Sequence, residues 1–192
     1  MSKKRKKPSR NPAGPSVQAA PEEEGAIMIR TEPTPDGLGW MVTMEITEDH
    51  SIALDRDKAI ECAWAILGAA AYAEYDASVL AQMTQRVSRE AAMQLVIDLR
   101  ADRPDLNWDA MKPLSVRPGV SVAGRPFLTL LQDEEPVGEW DLELARKHAM
   151  VILEAMIVAD LDGAYLRCLK GVVGLSDETA RVVVGDLQDF RP

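Results

Sequence analysis

The hydrophobic and polar positions of this chain follow one pattern twice. Apolar strands are predicted at Trp40 to Ile46 and at Phe127 to Leu131, and an acidic turn follows each of them. A helical pattern then begins after Asp55 and again after Asp141. Aspartate at that position caps a helix, because its carboxylate accepts hydrogen bonds from backbone N–H groups of the first turn. The pattern therefore predicts hairpins that lead directly into helices.

The first predicted helix is apolar on nearly every side. The stretch Ala59–Ala73 contains only one charged residue, Glu61, and its centre Gly68–Ala71 consists of glycine and alanine. A helix that is apolar all round must be buried on several sides, and small side chains let two helices approach closely. We therefore predict that it packs against the corresponding helix of the second half. The bulky residues expected to fill the space there are Met150, Ile152, Met156 and Ile157.

Further elements complete each pattern. After the first helix, to about Glu74, a second helical stretch continues to about Arg86, and a third begins at Ser88, with corresponding stretches in the second half. An additional strand is predicted at "AIMIRT" from Ala26 and at "LSVRPGVSV" from Leu114. Each half is therefore a βββαα unit or, without the additional strand, a ββαα unit.

The two halves also share residue identities. At an offset of 86 residues, 12 of 47 positions from Met41 onward are identical, and at an offset of 88, 6 of 13 positions from Ser88 onward are identical. Internal repeats of this kind determine how a whole fold is interpreted. We predict an α+β fold in which an internal duplication is packed as one pseudo-two-fold domain with antiparallel strands and central apolar helices. Residues 40–100 and 126–189 are expected to superpose.

Charge divides the chain into an arm and a body. The net charge is −9, with 22 basic and 31 acidic residues, yet the first twenty residues contain only cations among their charged side chains. This arm has no apolar periodicity, which predicts disorder. The cations that could contact an anionic partner are Lys3, Lys4, Arg5, Lys6, Lys7 and Arg10. The predicted organisation is an arm (1–25), a first repeat (26–103), a connector (104–113) and a second repeat (114–192).

Candidate chemistry is sparse. With only His50 and His148, the motifs that need a histidine pair on one helix are excluded, and no nucleophile-elbow or phosphate-loop signature occurs. Cys62 and Cys168 are interpreted as buried free thiols. One alternative is a disulfide between them. Another is a metal site that both form with His148, and such a site lacks a clear fourth ligand. The acidic turns lack the spacing of a calcium loop. We therefore assign no catalytic, cofactor-binding or metal-binding residue.

The four tryptophans are the remaining candidates. Trp40, Trp64 and Trp140 are expected in core or interface packing, whereas Trp108 in the polar connector is a candidate anchor for a protein partner. The predicted function is a non-enzymatic interaction protein whose acidic body binds protein and whose arm binds an anionic partner. The alternatives are a nucleic-acid-associated protein that binds through residues 1–10, and an enzyme with an acidic cleft between the repeats. A bacteriophage accessory or structural protein fits the length and composition.

The sequence also suggests where the protein resides. No apolar signal segment follows the basic start, and Ala59–Ala73 is shorter than the roughly 20 residues that a membrane helix needs. The expectation is a cytoplasmic protein without membrane contact.

Overall fold

The computed structural model describes residues 27–37, 39–47, 50–103 and 114–188. The predicted arm, the connector with Trp108 and the six arm cations lie outside these ranges, so their predicted roles stay predictions. Residues 48 and 49, which belong to the first predicted acidic turn, also lie outside the described ranges.

The first half contains three strands followed by two helices. The strands are β1 (Met28–Pro33), β2 (Trp40–Thr47) and β3 (His50–Leu54), and the helices are α1 (Arg56–Met83) and α2 (Arg89–Ala101). The strands form an antiparallel sheet in the order β1-β2-β3. The additional strand predicted from Ala26 is therefore present as β1.

The second half has the same order of elements. Its strands are β4 (Leu114–Val120), β5 (Pro126–Gln132) and β6 (Glu135–Trp140), and its helices are α3 (Leu142–Gly171) and α4 (Asp177–Gln188). The strands again form an antiparallel sheet, in the order β4-β5-β6. The protein is thus an α+β fold with two antiparallel three-stranded sheets and four helices. The ββαα alternative is wrong, and each predicted pair of helical stretches after the hairpin is one continuous helix.

Local chemistry explains where the helices begin. Asp55 and Asp141 cap α1 and α3, since their carboxylates accept hydrogen bonds from Lys58 N at 3.0 Å and Leu144 N at 2.7 Å. Ser88 caps α2 in the same way through the backbone N–H of Ala91, at 3.3 Å. These three caps confirm the helix starts that the sequence predicts.

Turn residues set the ends of other elements. Asp133 and Glu134 both adopt positive φ, 49° and 71°, which is the geometry of a two-residue hairpin turn between β5 and β6. Gly174 has φ 78° just after α3, and its left-handed conformation ends that helix. The acidic turn between β5 and β6 and Gly174 therefore have structural roles.

Helices from each half cover the sheet of the other half. α1 packs against β4 and β5, α3 packs against β1 and β2, and the two helices pack against each other. The smaller clusters follow the same rule. Val120 of the second sheet packs with Leu80 of α1 and Val96 of α2, while Trp40 of the first sheet packs with Leu166 of α3 and Val184 of α4. The two halves therefore share one interleaved core.

Only some of the small side chains of α1 are buried in the way that the sequence predicts. Ala69 and Ala70 are fully buried, and Ile152 and Met156 of α3 are buried too. Gly68 is only half-buried and Ala71 is exposed, and the expected partners Met150 and Ile157 of α3 are 50% and 54% exposed. Their placement in the helical seam was wrong, because at 3.6 residues per turn these positions turn away from the sheets and toward solvent. Within the described ranges, no helix combines the length and apolar character that a membrane crossing requires.

Candidate protein-interaction surface

Trp64 is the most unusual apolar side chain of the central helices. It lies on α1 with 65% of its surface exposed, whereas Trp140 on β6 is fully buried. The expectation that Trp64 packs in the core is therefore wrong, and the alternative expectation, interface packing, remains. An exposed tryptophan matters most where other apolar side chains surround it, so the neighbouring positions of α1 and α3 decide its significance.

Two ion pairs show how α1 and α3 lie relative to each other. Arg56 Nε at the start of α1 is 2.9 Å from Asp160 Oδ2 in α3, and Arg146 near the start of α3 pairs with Glu74 of α1. The start of each helix therefore lies beside a later turn of the other, so the helices are antiparallel. All four side chains are exposed, which places both pairs on the solvent side of the seam between the helices.

Apolar side chains occupy the solvent side between these two ion pairs. At helical spacing, α1 presents its residues 60, 64, 67 and 71 on this side, and α3 presents its residues 150, 153 and 157. We call these seven side chains the central-helix face: Ile60, Trp64, Leu67, Ala71, Met150, Leu153 and Ile157. The ion pairs bound it at both ends, about 27 Å apart along α1 at about 1.5 Å per residue.

The face has a floor and raised sides. Leu67 and Leu153 are half-buried and pack against the main core, so they form its floor. Trp64, Met150 and Ile157 are exposed and project beyond them. The face is therefore a shallow apolar surface supported by the core rather than a set of isolated side chains.

Acidic residues surround the central-helix face. On its outer edges, α1 carries Asp57 and Glu61 and α3 carries Glu143 and Glu154, all exposed, with Lys147 as the cation among them. The ion-pair residues at the two ends neutralise each other. The surface therefore combines an apolar centre with a negative rim, which favours a partner that has apolar side chains flanked by cations.

Comparison with known proteins gives no relative from which a function could be transferred: no protein-family model, no curated protein and no solved structure matches the chain. Function must therefore be argued from the residues of this surface and from the chemistry around it. Within the described ranges, no group of three or more His, Cys, Asp or Glu is arranged to hold a metal ion.

The cysteines and the histidine of the central helices do not form one site. Cys62 is buried with its Sγ 3.9 Å from Met44 Sδ, and burial raises the pKa of its thiol to about 12. Cys168 is exposed, so the expectation of two buried thiols is wrong for this residue, and both cysteines are free. His148 is buried with its ring 4.7 Å from that of Trp140. The contacts of Cys62 and His148 are therefore packing of soft and aromatic side chains.

A buried ionic cluster lies between α1 and α2. The side chain of Asp76 is 1% exposed; it accepts a hydrogen bond from Arg100 Nε at 2.6 Å and pairs with Arg103 as well. The Arg103 guanidinium also lies over the ring of Tyr72, 4.8 Å from its centroid, and near that of Tyr75. These contacts hold the end of α2 against α1, which is a structural role.

Sequence reasoning proposed Trp108 as the anchor for a protein partner, and that proposal stays a prediction because Trp108 lies outside the described ranges. The six arm cations also lie outside the described ranges, whereas Trp64 is exposed on the central-helix face. A signal was present in the sequence. Asp57, Glu61 and Trp64 are spaced by four and three residues, so the helical period places Trp64 on the charged edge of α1.

Proposed function

We propose that this protein is a non-enzymatic interaction module whose body binds another protein through the central-helix face. The observation that carries the proposal is the exposure of Trp64, 65%, within an apolar surface that the core supports from below. Tryptophan is strongly enriched among the residues that dominate protein–protein binding, because its large rigid surface loses little conformational entropy on contact. Surfaces of this type mark interaction sites more often than isolated exposed side chains do.

Site-specific photo-crosslinking tests the proposal. A photo-reactive phenylalanine derivative replaces Ala71 on the face, and the matched control places it at Val122, which is 84% exposed in the turn between β4 and β5. In cells of the natural host, position 71 should yield a discrete crosslinked protein that position 122 does not. Adding Trp64→Ala should remove that product. The same products from both positions would refute the proposal.

We propose in addition that the basic arm contacts an anionic partner. Its six cations, Lys3 to Lys7 and Arg10, could neutralise several phosphates and so give salt-dependent binding that does not depend on base sequence. The nucleic-acid-associated alternative assigns most of the binding to this arm. A salt series on DNA and RNA with the full chain, repeated after deletion of residues 1–20, tests it: binding that survives the deletion would contradict a role of the arm.

The two halves are proposed to be an internal duplication related by a rotation near two-fold. In support, Arg30 lies opposite Thr43 in the register of β1 and β2, and Arg117 lies opposite Thr129 in the register of β4 and β5. Each half also has an aspartate cap at the start of its long helix, and each long helix forms an ion pair from its start to a later turn of the other. In addition, α1 packs against the sheet of the second half and α3 against the sheet of the first. A cytoplasmic location stays a prediction from the composition.

A further inference from the structure

We infer that the occupant of the central-helix face is a cationic amphipathic helix of a partner protein, an inference that rests on the proposed function. The juxtaposition behind it is an apolar floor and raised apolar sides inside a rim of carboxylates. An amphipathic helix that lays its apolar side into a groove is a common mode of protein recognition, with anchors at positions i, i+3 or i+4, and i+7.

The dimensions of the face suit a helix. The two ion pairs, Arg56 with Asp160 and Glu74 with Arg146, lie about 27 Å apart along α1, the length of a helix of roughly 18 residues. Anchor side chains of such a helix would lie over the half-buried Leu67 and Leu153. Trp64 and Ile157 would then contact the anchors from the sides.

Charge selects the kind of helix. The exposed carboxylates of Asp57, Glu61, Glu143 and Glu154 flank the apolar centre, so cations on both edges of a bound helix would meet opposite charge. A neutral or acidic helix would leave them unpaired or repelled. The rim therefore favours lysine and arginine beside the apolar anchors.

The same observations disfavour two other occupants. A second copy of this chain would bring a like-charged rim against this one, since the chain beyond its first twenty residues is strongly acidic. The basic arm of the same chain has suitable charge, but from Lys3 to Pro15 it has three prolines and no apolar residue larger than alanine among the remaining positions. It cannot fill the apolar centre at helical spacing.

Binding of a designed peptide tests the inference directly. The probe is a fluorescein-labelled 18-residue helical peptide with leucine on one side and lysine on its edges, titrated into the full-length protein and followed by anisotropy. We expect saturable binding that weakens by about tenfold or more for a peptide with glutamate in place of lysine, and similarly for a scrambled peptide of unchanged composition. Binding should also weaken as salt rises from about 50 mM to about 200 mM.

Protein variants separate the face from general attraction to an acidic protein. Trp64→Ala leaves the charge unchanged and should weaken peptide binding by about tenfold or more, whereas the control Val122→Ala should leave it unchanged. Both variants remove an exposed side chain, and their folding is checked by circular dichroism. Equal affinity of wild type and Trp64→Ala would overturn the inference, as would equal affinity for the lysine and glutamate peptides.

Other occupants give distinct results. Peptide affinity that rises about tenfold after deletion of residues 1–25 would show that the arm occupies the face and would overturn the inference. If the protein self-associates and Ile157→Glu abolishes the association, the face binds a second copy of the chain, and the inference is overturned. A crosslink from position 71 without peptide binding would refute the cationic helix but leave the proposed function standing, whereas failure of the crosslink would refute the proposed function itself.

Discussion

Ala70 tests whether the small side chains of α1 are needed for close packing. This residue is fully buried on the side where α1 contacts α3 and the second sheet. Leucine there adds three carbon atoms. If space were available, burying them would stabilise the fold by about 0.8 kcal/mol per carbon, or roughly 2 kcal/mol in total. If the seam is closely packed, the same atoms destabilise it by about 1–3 kcal/mol through strain. The sign of the change therefore reports the packing.

We expect Ala70→Leu to lower the free energy of unfolding by about 1–3 kcal/mol. The matched control is Ala71→Leu at the next position, which is exposed and should change stability by no more than about 0.5 kcal/mol. Helix propensity affects both variants alike, because alanine and leucine are both strong helix formers. Urea denaturation with unchanged slope measures both values. An Ala70→Leu protein as stable as wild type, or more stable, would refute close packing at this seam.

Four further predictions concern the rest of the fold. Asp76→Ala should lower the free energy of unfolding, measured by urea denaturation, by about 3 kcal/mol, because it leaves two arginines without their buried partner. Asp160→Ala removes an exposed ion pair and should lower it by about 1 kcal/mol or less. Equal changes in the two variants would contradict the argument from burial. With an aromatic disulfide reagent at about pH 8, exposed Cys168 should react in the native protein and Cys62 only after unfolding, because burial disfavours its thiolate. Since the pKa of Cys62 is raised from 9.0 to about 12, its contribution to stability should be constant below pH 9 and decline between these values, as the unfolded chain loses the proton first. Residues 27–103 expressed alone should not fold as a monomer by circular dichroism and gel filtration, since their sheet lacks the covering helix α3; a cooperatively folded monomer would disprove the interleaved core.

Local signals in the sequence were sufficient to predict the strands and the starts of the helices. Asp55 and Asp141 identified two helix starts because a cap acts within one turn. Alternation of polarity located β2 and β5. These features depend on neighbours in the chain, so they are visible without knowledge of tertiary structure.

Long-range arrangement was not accessible in the same way. The pattern of α1 shows that it is buried on several sides but does not show which sheet it covers, since both sheets present similar apolar faces. The Asp76 cluster joins residues more than twenty positions apart, and nothing local marks its arginines as partners. Trp64 was misplaced for a related reason: an apolar residue in an apolar stretch is predicted to be buried unless its helical phase is examined.

The side chains at the two ends of the central-helix face differ, and this difference predicts a direction for a bound helix. Because Arg56 lies beside Asp160 in an antiparallel pair, Trp64 lies toward the end of the face where α3 presents Ile157, and Ala71 toward the end where α3 presents Met150. One end is therefore bulky and the other has a small residue.

We expect a partner helix to prefer the orientation that places its small anchors at the Trp64 end and its large anchors at the Ala71 end. Exposed Cys168 of α3 lies beyond Asp160, at the Trp64 end, and accepts a fluorescent label. A peptide with alanine anchors in its first half and leucine anchors in its second should then transfer energy to that label more efficiently from a dye at its N-terminus than from one at its C-terminus. Equal efficiencies would mean that the peptide binds in both directions and that the difference between Trp64 and Met150 does not select an orientation.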